Sequence, residues 1–326
     1  MPLDRFGRNI DYLRISLTDK CNLRCIYCMP ENMTFRSHKD LLQDDEILRL
    51  VRIFAGIGFH KFRLTGGEPT VRSNIVNIVK EIANTPGVRT VAMTTNGLML
   101  DELAKPLAAA GLTRVNISID TLNPEKFNRL TRWGKVEDVW RGLDAAEAAG
   151  LDIKFNAVIV RGYNDKEDVV DLARLTLNHP WQVRFIEMMP FGDVAGFQQA
   201  GTVSEEELRE TISAQLGALS AMDNGRLDGE ARLFKLPDSI GTIGFISSIT
   251  KPFCAHCTRA RLTADGRLRL CLLREKEVNL IELLRNGTDN ETLTTFIKDA
   301  IYLKPWGHKL KEDVIPLNRV MSEIGG

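Results

Sequence analysis

The chain has 326 residues, more than a single hydrophobic core usually fills, so one large α/β unit with an extension is expected. Lys plus Arg and Asp plus Glu number 43 each, which removes any general reason for affinity to nucleic acid or to a membrane surface. No apolar run approaches the ~18–20 residues that span a bilayer, and Met1–Arg14 carries Asp4, Arg5, Arg8 and Asp11 instead of a signal core, which predicts a soluble, cytoplasmic protein.

Strand-like and helix-like segments then alternate. Tyr12–Thr18, Lys61–Thr65, Thr90–Thr95, Arg114–Asp120, Asp152–Val160 and Gln182–Met188 are rich in Val, Ile, Leu or Phe, as strands with a buried face should be. Between them, Asp44–Ala55 places Ile47, Leu48, Val51 and Phe54 at helical spacing, and Ser73 is placed to cap a helix over Asn74–Ala83. Leu100–Ala110 and Val136–Ala149 each stop at a glycine, Gly111 and Gly150, and Lys166–Leu177 reads as a further helix. Six β-then-α units in tandem predict a parallel sheet with right-handed crossovers. Six are too few to close an eight-fold barrel, so the expected fold is an open, partial (β/α)6 barrel of the TIM type, spanning residues 1–190.

The pattern changes after residue 190. Phe191–Gly201 leads to a helix capped near Ser204, and Gly241–Ser248 reads as a short strand. Thr258–Leu272 reads as a hairpin turning at Ala264-Asp265-Gly266, and Asn279–Arg285 and Thr292–Leu303 are helical in pattern. Residues 191–326 are expected to form an extension that closes the open face of the barrel.

The six cysteines fall into two groups of three. Cys21, Cys25 and Cys28 follow the first strand with Cys-x3-Cys-x2-Cys spacing. A structural zinc site usually takes four ligands in two pairs, whereas three thiolates on one short loop suit three corners of a four-iron cluster whose last iron stays open. The bland alternative, three buried apolar cysteines, fits poorly with so dense a triplet on a polar loop. Cys254, Cys257 and Cys271 form the second group. Two readings stay open for it: a second three-thiolate cluster, or a Cys3His zinc site completed by His256, whose place between two ligands makes folding back onto the same metal awkward. Thr258–Arg261 is a small basic patch without interleaved aromatics, too weak a signal for nucleic acid.

Gly66-Gly67-Glu68-Pro69 closes the second strand, where two glycines let backbone approach a ligand and Glu68 could accept from an ammonium. Together, C-N-L-R-C-I-Y-C and G-G-E-P resemble the signatures of the radical S-adenosylmethionine superfamily. The resemblance implies a [4Fe–4S] cluster that binds S-adenosylmethionine and cleaves it by one electron to methionine and a 5′-deoxyadenosyl radical. R-I-S-L-T-D-K, R-L-T-G-G-E-P-T-V-R, T-T-N-G, N-I-S-I-D-T-L, R-F-I-E-M-M-P, C-A-H-C-T-R-A-R-L-T-A-D-G and M-S-E-I-G-G extend the similarity, essentially end to end, to the GTP 3′,8-cyclase family of molybdenum cofactor biosynthesis.

That resemblance implies two [4Fe–4S] clusters, with S-adenosylmethionine bound by the first and by Tyr27, Gly67, Ser118 and Met189. It implies GTP contacts from Arg14, Arg63, Thr94, Lys154, Arg259 and Arg261, with the guanine base on the second cluster's open iron. The implied reaction is removal of H3′ from GTP, attack of the ribose radical on guanine C8, and reduction to (8S)-3′,8-cyclo-7,8-dihydroguanosine 5′-triphosphate. The implied partners are an electron donor and the cyclic pyranopterin monophosphate synthase that consumes the product, with room for a homodimer and no role for nucleic acid or membrane. It also implies that Gly325-Gly326 reaches into the active site. The residues agree in kind, because Arg14, Arg63 and Lys154 sit in otherwise apolar strands, an expensive place for a cation without an anionic partner. The rival readings are a peptide-modifying member of the superfamily, which should carry more C-terminal cysteines, and a zinc-binding module without enzymatic activity.

Overall fold

A computed structural model describes residues 2–190, 201–222, 227–308 and 319–325. The barrel units are β1 (Tyr12–Ser16), α1 (Asp44–Gly56), β2 (Lys61–Thr65), α2 (Ile75–Ala83), β3 (Thr90–Thr95), α3 (Leu100–Ala109) and β4 (Arg114–Ser118). They continue through α4 (Pro124–Thr131), α5 (Val136–Ala148), β5 (Asp152–Ile159), α6 (Glu167–Asn178) and β6 (Gln182–Glu187). β1 to β6 pair in sequence order, all parallel. Side chains alternate across each strand, and so Leu13 and Ile15 of β1 are fully buried in the layer shared with the helices while Arg14 turns to the other face, into the barrel interior.

Two helix starts differ from expectation. Asn74, not Ser73, is the N-cap of α2, and neither side chain is recorded bonding to the helix's first turn. α4 was not foreseen, although Asn123 accepts from the backbone N–H of Lys126 and Pro124 opens the helix, a pairing that favours a helix start.

The later residues do more than cover a face. α7 (Glu205–Leu216) begins with a Ser204–Glu207 capping box, as the sequence suggested. β7 (Ser220–Ala221), β8 (Leu227–Asp228) and β9 (Ala231–Lys235) precede β10 (Thr242–Ile246), which pairs parallel with β6. β11 (Arg259–Leu262) pairs parallel with β1 and turns through Gly266 into the antiparallel β12 (Arg267–Arg269), followed by β13 (Glu277–Asn279). The sheet order is β13-β12-β11-β1-β2-β3-β4-β5-β6-β10-β9-β7, with β8 on β9. The C-terminal third thus adds one parallel strand to each edge of the six-strand barrel. β10 and β11 do not pair with each other, and the barrel stays open. α8 (Leu280–Arg285), α9 (Asn290–Tyr302) and α10 (Met321–Ile324) complete the described chain. The expected segment Phe191–Gly201 lies outside the described residues except for Gly201.

Candidate active site

Parallel register assembles the basic part of the site. Arg14 of β1 stands opposite Arg261 of β11 on one side and Arg63 of β2 on the other, giving three arginines abreast on adjoining strands. Like charges directly opposite each other in a sheet repel, so such a row persists only with anionic compensation. The next row on β3, β4, β5 and β6 runs Thr94, Asn116, Lys154, Gln182, and Arg184 of β6 pairs with Asn156 of β5.

A cavity of about 190 Å³ opens at this face. Arg14, Arg63, Thr94, Arg259 and Arg261 line it, as do Cys254, Cys257 and Cys271, while Tyr27 and Met189 also line it. Lys154, Ser118 and Gly67 do not. Lys154 is buried in β5 and Ser118 is half-buried at the end of β4.

Glu230, which the sequence did not single out, is the acid among these arginines. Its carboxylate accepts from Arg14 at 2.5 Å and lies 3.5 Å from Arg259. Burial would raise its pKa, but Arg259, Arg14, Arg63 and Arg184 hold it well below the usual carboxylate range. Compensation is incomplete. Burial and then the neighbouring Arg63 push Arg184 down to about 10, and burial, then Arg14 and Arg259, lower Arg261 as well. The Nε groups of Arg14, Arg63 and Arg184 are buried without a hydrogen-bond partner. Unmet guanidinium donors around a cavity fit a polyanionic ligand.

The first cysteine loop is tied to the strand ends by the glycine pair. Gly67 donates to Thr18 O at 2.7 Å and Glu68 N–H to Lys20 O at 2.8 Å. A Cβ on Gly67 would come within 2.3 Å of Lys20 O, so any side chain there would push away the segment entering Cys21. Glu68 is fully buried, and its oxygens accept from Thr70 N–H, Thr70 Oγ1, Thr95 Oγ1 and Asn96 N–H. The carboxylate thereby fastens β2 to β3. Asp120 accepts from the Tyr27 hydroxyl at 2.6 Å and from Val158 N–H, and burial raises its pKa to about 6.

Burial, and then Glu68, push the Cys21 thiol up to about 11. Burial and then Cys21 push Cys28 up to about 12, and burial, then Cys28, Asp120 and Cys21, push Cys25 up as well. Three mutually sensed thiols, costly to ionise without a cation, form a donor set that an iron–sulfur cluster would satisfy.

The second triad has cationic neighbours, although burial still raises the Cys271 thiol. Burial acts to raise Cys257, but Arg259 and Lys304 outweigh it and bring the thiol down to about 6. Lys304 is buried and donates to the carbonyls of Arg259 and Leu270. Arg8 holds the loop from behind, donating to Cys254 O at 2.7 Å and to Pro305 O and Trp306 O. His256 is exposed and lines an outer depression that Cys257 and Arg259 also line, but not the cavity that the three thiols share. Among the described residues no three His, Cys, Asp or Glu side chains, the two thiol triads included, converge on a point that would hold one metal ion.

The C-terminal tail enters the same region. Arg319 pairs with Asp265 and Glu277, and Arg36 with Glu323. The Ser322 backbone N–H lies at the Cys28 thiol, and Gly325 O accepts from Arg261. Gly325 has φ +73°, and a Cβ there would strike Thr65 Oγ1, so glycine alone fits against the ends of β1 and β2. Gly326 lies outside the described residues.

Residues 15–176 match the Radical SAM superfamily model and residues 181–310 the Molybdenum Cofactor Synthesis C model. The chain is similar to a GTP 3′,8-cyclase of Heliobacterium modesticaldum, 46% identical over 99% of this chain and 100% of that one. It is 44% identical to that of Desulforamulus reducens over 99% and 100%, and 43% identical to that of Pseudomonas savastanoi pv. phaseolicola over 99% and 98%. Among solved structures, Streptococcus suis SuiB bound to its precursor peptide SuiA shares the fold, with TM-score 0.63 and 15% identity over 97% of this chain and 76% of that one.

Proposed function

This chain belongs to the GTP 3′,8-cyclase family of radical S-adenosylmethionine enzymes, which act in molybdenum cofactor biosynthesis, and from that membership we propose that GTP binds in the arginine-lined cavity, beside Cys254, Cys257 and Cys271. The observation that carries this reading is the register row Arg261–Arg14–Arg63, with unmet guanidinium donors, beside Cys254, Cys257 and Cys271. A triphosphate supplies the negative charge that the row lacks. Arg259, between the arginine row and Cys257, marks the place where the nucleoside passes from its phosphates to its base.

The family uses S-adenosylmethionine and an iron–sulfur cluster. Cys21, Cys25 and Cys28 would hold that cluster, which with S-adenosylmethionine supplies hydrogen-atom abstraction from the ribose. Tyr27, Gly67, Ser118 and Met189 would surround S-adenosylmethionine, with the Tyr27–Asp120 pair fixing the loop that carries the thiols. We assign a second [4Fe–4S] cluster to Cys254, Cys257 and Cys271, where it would face guanine. Thr94 and Lys154 would complete the GTP contacts. The chain's own work is to orient the ribose toward the first triad and to keep water out; the tail from Arg319 to Gly325 contributes to both. The product is (8S)-3′,8-cyclo-7,8-dihydroguanosine 5′-triphosphate, passed to the cyclic pyranopterin monophosphate synthase, in the cytoplasm.

The test is anaerobic, iron-reconstituted protein incubated with S-adenosylmethionine, a reductant and GTP. The expected result is 5′-deoxyadenosine and methionine formed together with loss of GTP. Their absence with iron fully loaded would refute the radical reading. Their formation without GTP consumption would refute the substrate.

A further inference from the structure

Glu230 sits at the tight turn between β8 and β9, where Asp228 pairs with Ala231 and Gly229 takes φ +64°. The turn pushes this one carboxylate into the arginine cage, 2.5 Å from Arg14 and 3.5 Å from Arg259, with only 7% of the residue exposed. It lines two spaces at once: the cavity, and the outer depression that Tyr12, Lys61 and His256 also line. A carboxylate bound by guanidiniums presents the same acceptor geometry as a phosphate oxygen. Placed beside a bound phosphate, it would meet a like charge in a poorly solvated site.

We propose that Glu230 is a built-in competitor for the substrate's phosphate groups, holding the place a phosphate oxygen takes on Arg14 and Arg259 until a polyanion displaces it toward the outer depression and Lys61. The proposal rests on the reading of the cage as a phosphate site. Its consequence is selectivity by charge. A triphosphate brings enough negative charge to satisfy Arg14, Arg63, Arg259 and Arg261 and still expel the carboxylate. A monophosphate gains fewer contacts against the same cost of displacement. A neutral nucleoside does not compete for that place. Glu230 also keeps the cage assembled in the empty protein by partly neutralising its arginines.

The experiment compares Glu230→Gln with the wild type by calorimetric binding of GTP, GMP, inorganic tripolyphosphate and guanosine, with thermal melting of the free proteins alongside. Expected for Glu230→Gln are a roughly tenfold or greater gain for GTP and tripolyphosphate, a gain no larger for GMP, no change for guanosine, and a lower melting temperature without ligand. Glu230→Asp keeps the charge but draws it back, and should give a smaller gain with the same pattern; it carries the test if the Gln variant does not fold. Weaker GTP binding in both variants would overturn the proposal and make Glu230 a direct substrate contact. Equal gains for GTP and guanosine would also overturn it. A gain for tripolyphosphate in a protein that does not bind GTP would support the competitor and refute GTP as substrate, whereas GTP binding unchanged by the substitutions would do the reverse.

Discussion

The two cysteine triads have the same three donors and different surroundings. Cys21, Cys25 and Cys28 lie near two buried carboxylates, Glu68 and Asp120, and their thiols are pushed far up. Cys254, Cys257 and Cys271 lie beside Arg259 and Lys304, which bring Cys257 down to about 6. The difference fits the proposed reading, in which the acidic end would meet the sulfonium and ammonium of S-adenosylmethionine and the basic end the polyphosphate of GTP. Neither triad's spacing alone carries that distinction.

The comparison breaks most readily at the arginine row. Arg63→Ala removes the end member of the row without touching either triad. It should raise the KM for GTP on the order of 100-fold, while S-adenosylmethionine binding stays within about twofold of wild type. Equal losses for the two ligands, read by equilibrium binding of each, would mean the cavity is not divided by charge. A smaller effect sharpens the contrast in the reduced, metal-free protein. Cys257 should be alkylated by iodoacetamide with a half-maximal rate near pH 6, since its thiolate predominates above that value. Cys21 and Cys28, with values of about 11 and about 12, should stay unlabelled at neutral pH. Peptide mass mapping of the labelled sites distinguishes the two patterns.

Much of this arrangement is legible in the sequence. The six barrel strands are apolar runs, and the polar motifs follow them, so their gathering at one end of a parallel sheet is a consequence of chain direction. Cys21/25/28 and Cys254/257/271 declare themselves by spacing. The register row is not legible, because it pairs Arg14 with Arg261 across an unpredicted parallel contact between β1 and β11. Nor is Glu230, which belongs to a hairpin of two-residue and five-residue strands too short to leave a periodic signal. Glu68 has a structural role the motif did not suggest: buried against Thr70, Thr95 and Asn96, it accepts from all three. For the tail, the expectation that it reaches the active site came from family resemblance alone, and the clamp from Arg319 and Arg261 is what holds Gly325 where it lies.

The division of labour between the triads is tested most directly in one variant, Cys271→Ser, reconstituted anaerobically and assayed by equilibrium binding of S-adenosylmethionine and by GTP turnover. S-adenosylmethionine affinity should remain within about twofold of wild type while GTP turnover falls by roughly 100-fold or more. Wild-type turnover of GTP in that variant would contradict the assignment of the second triad to the substrate.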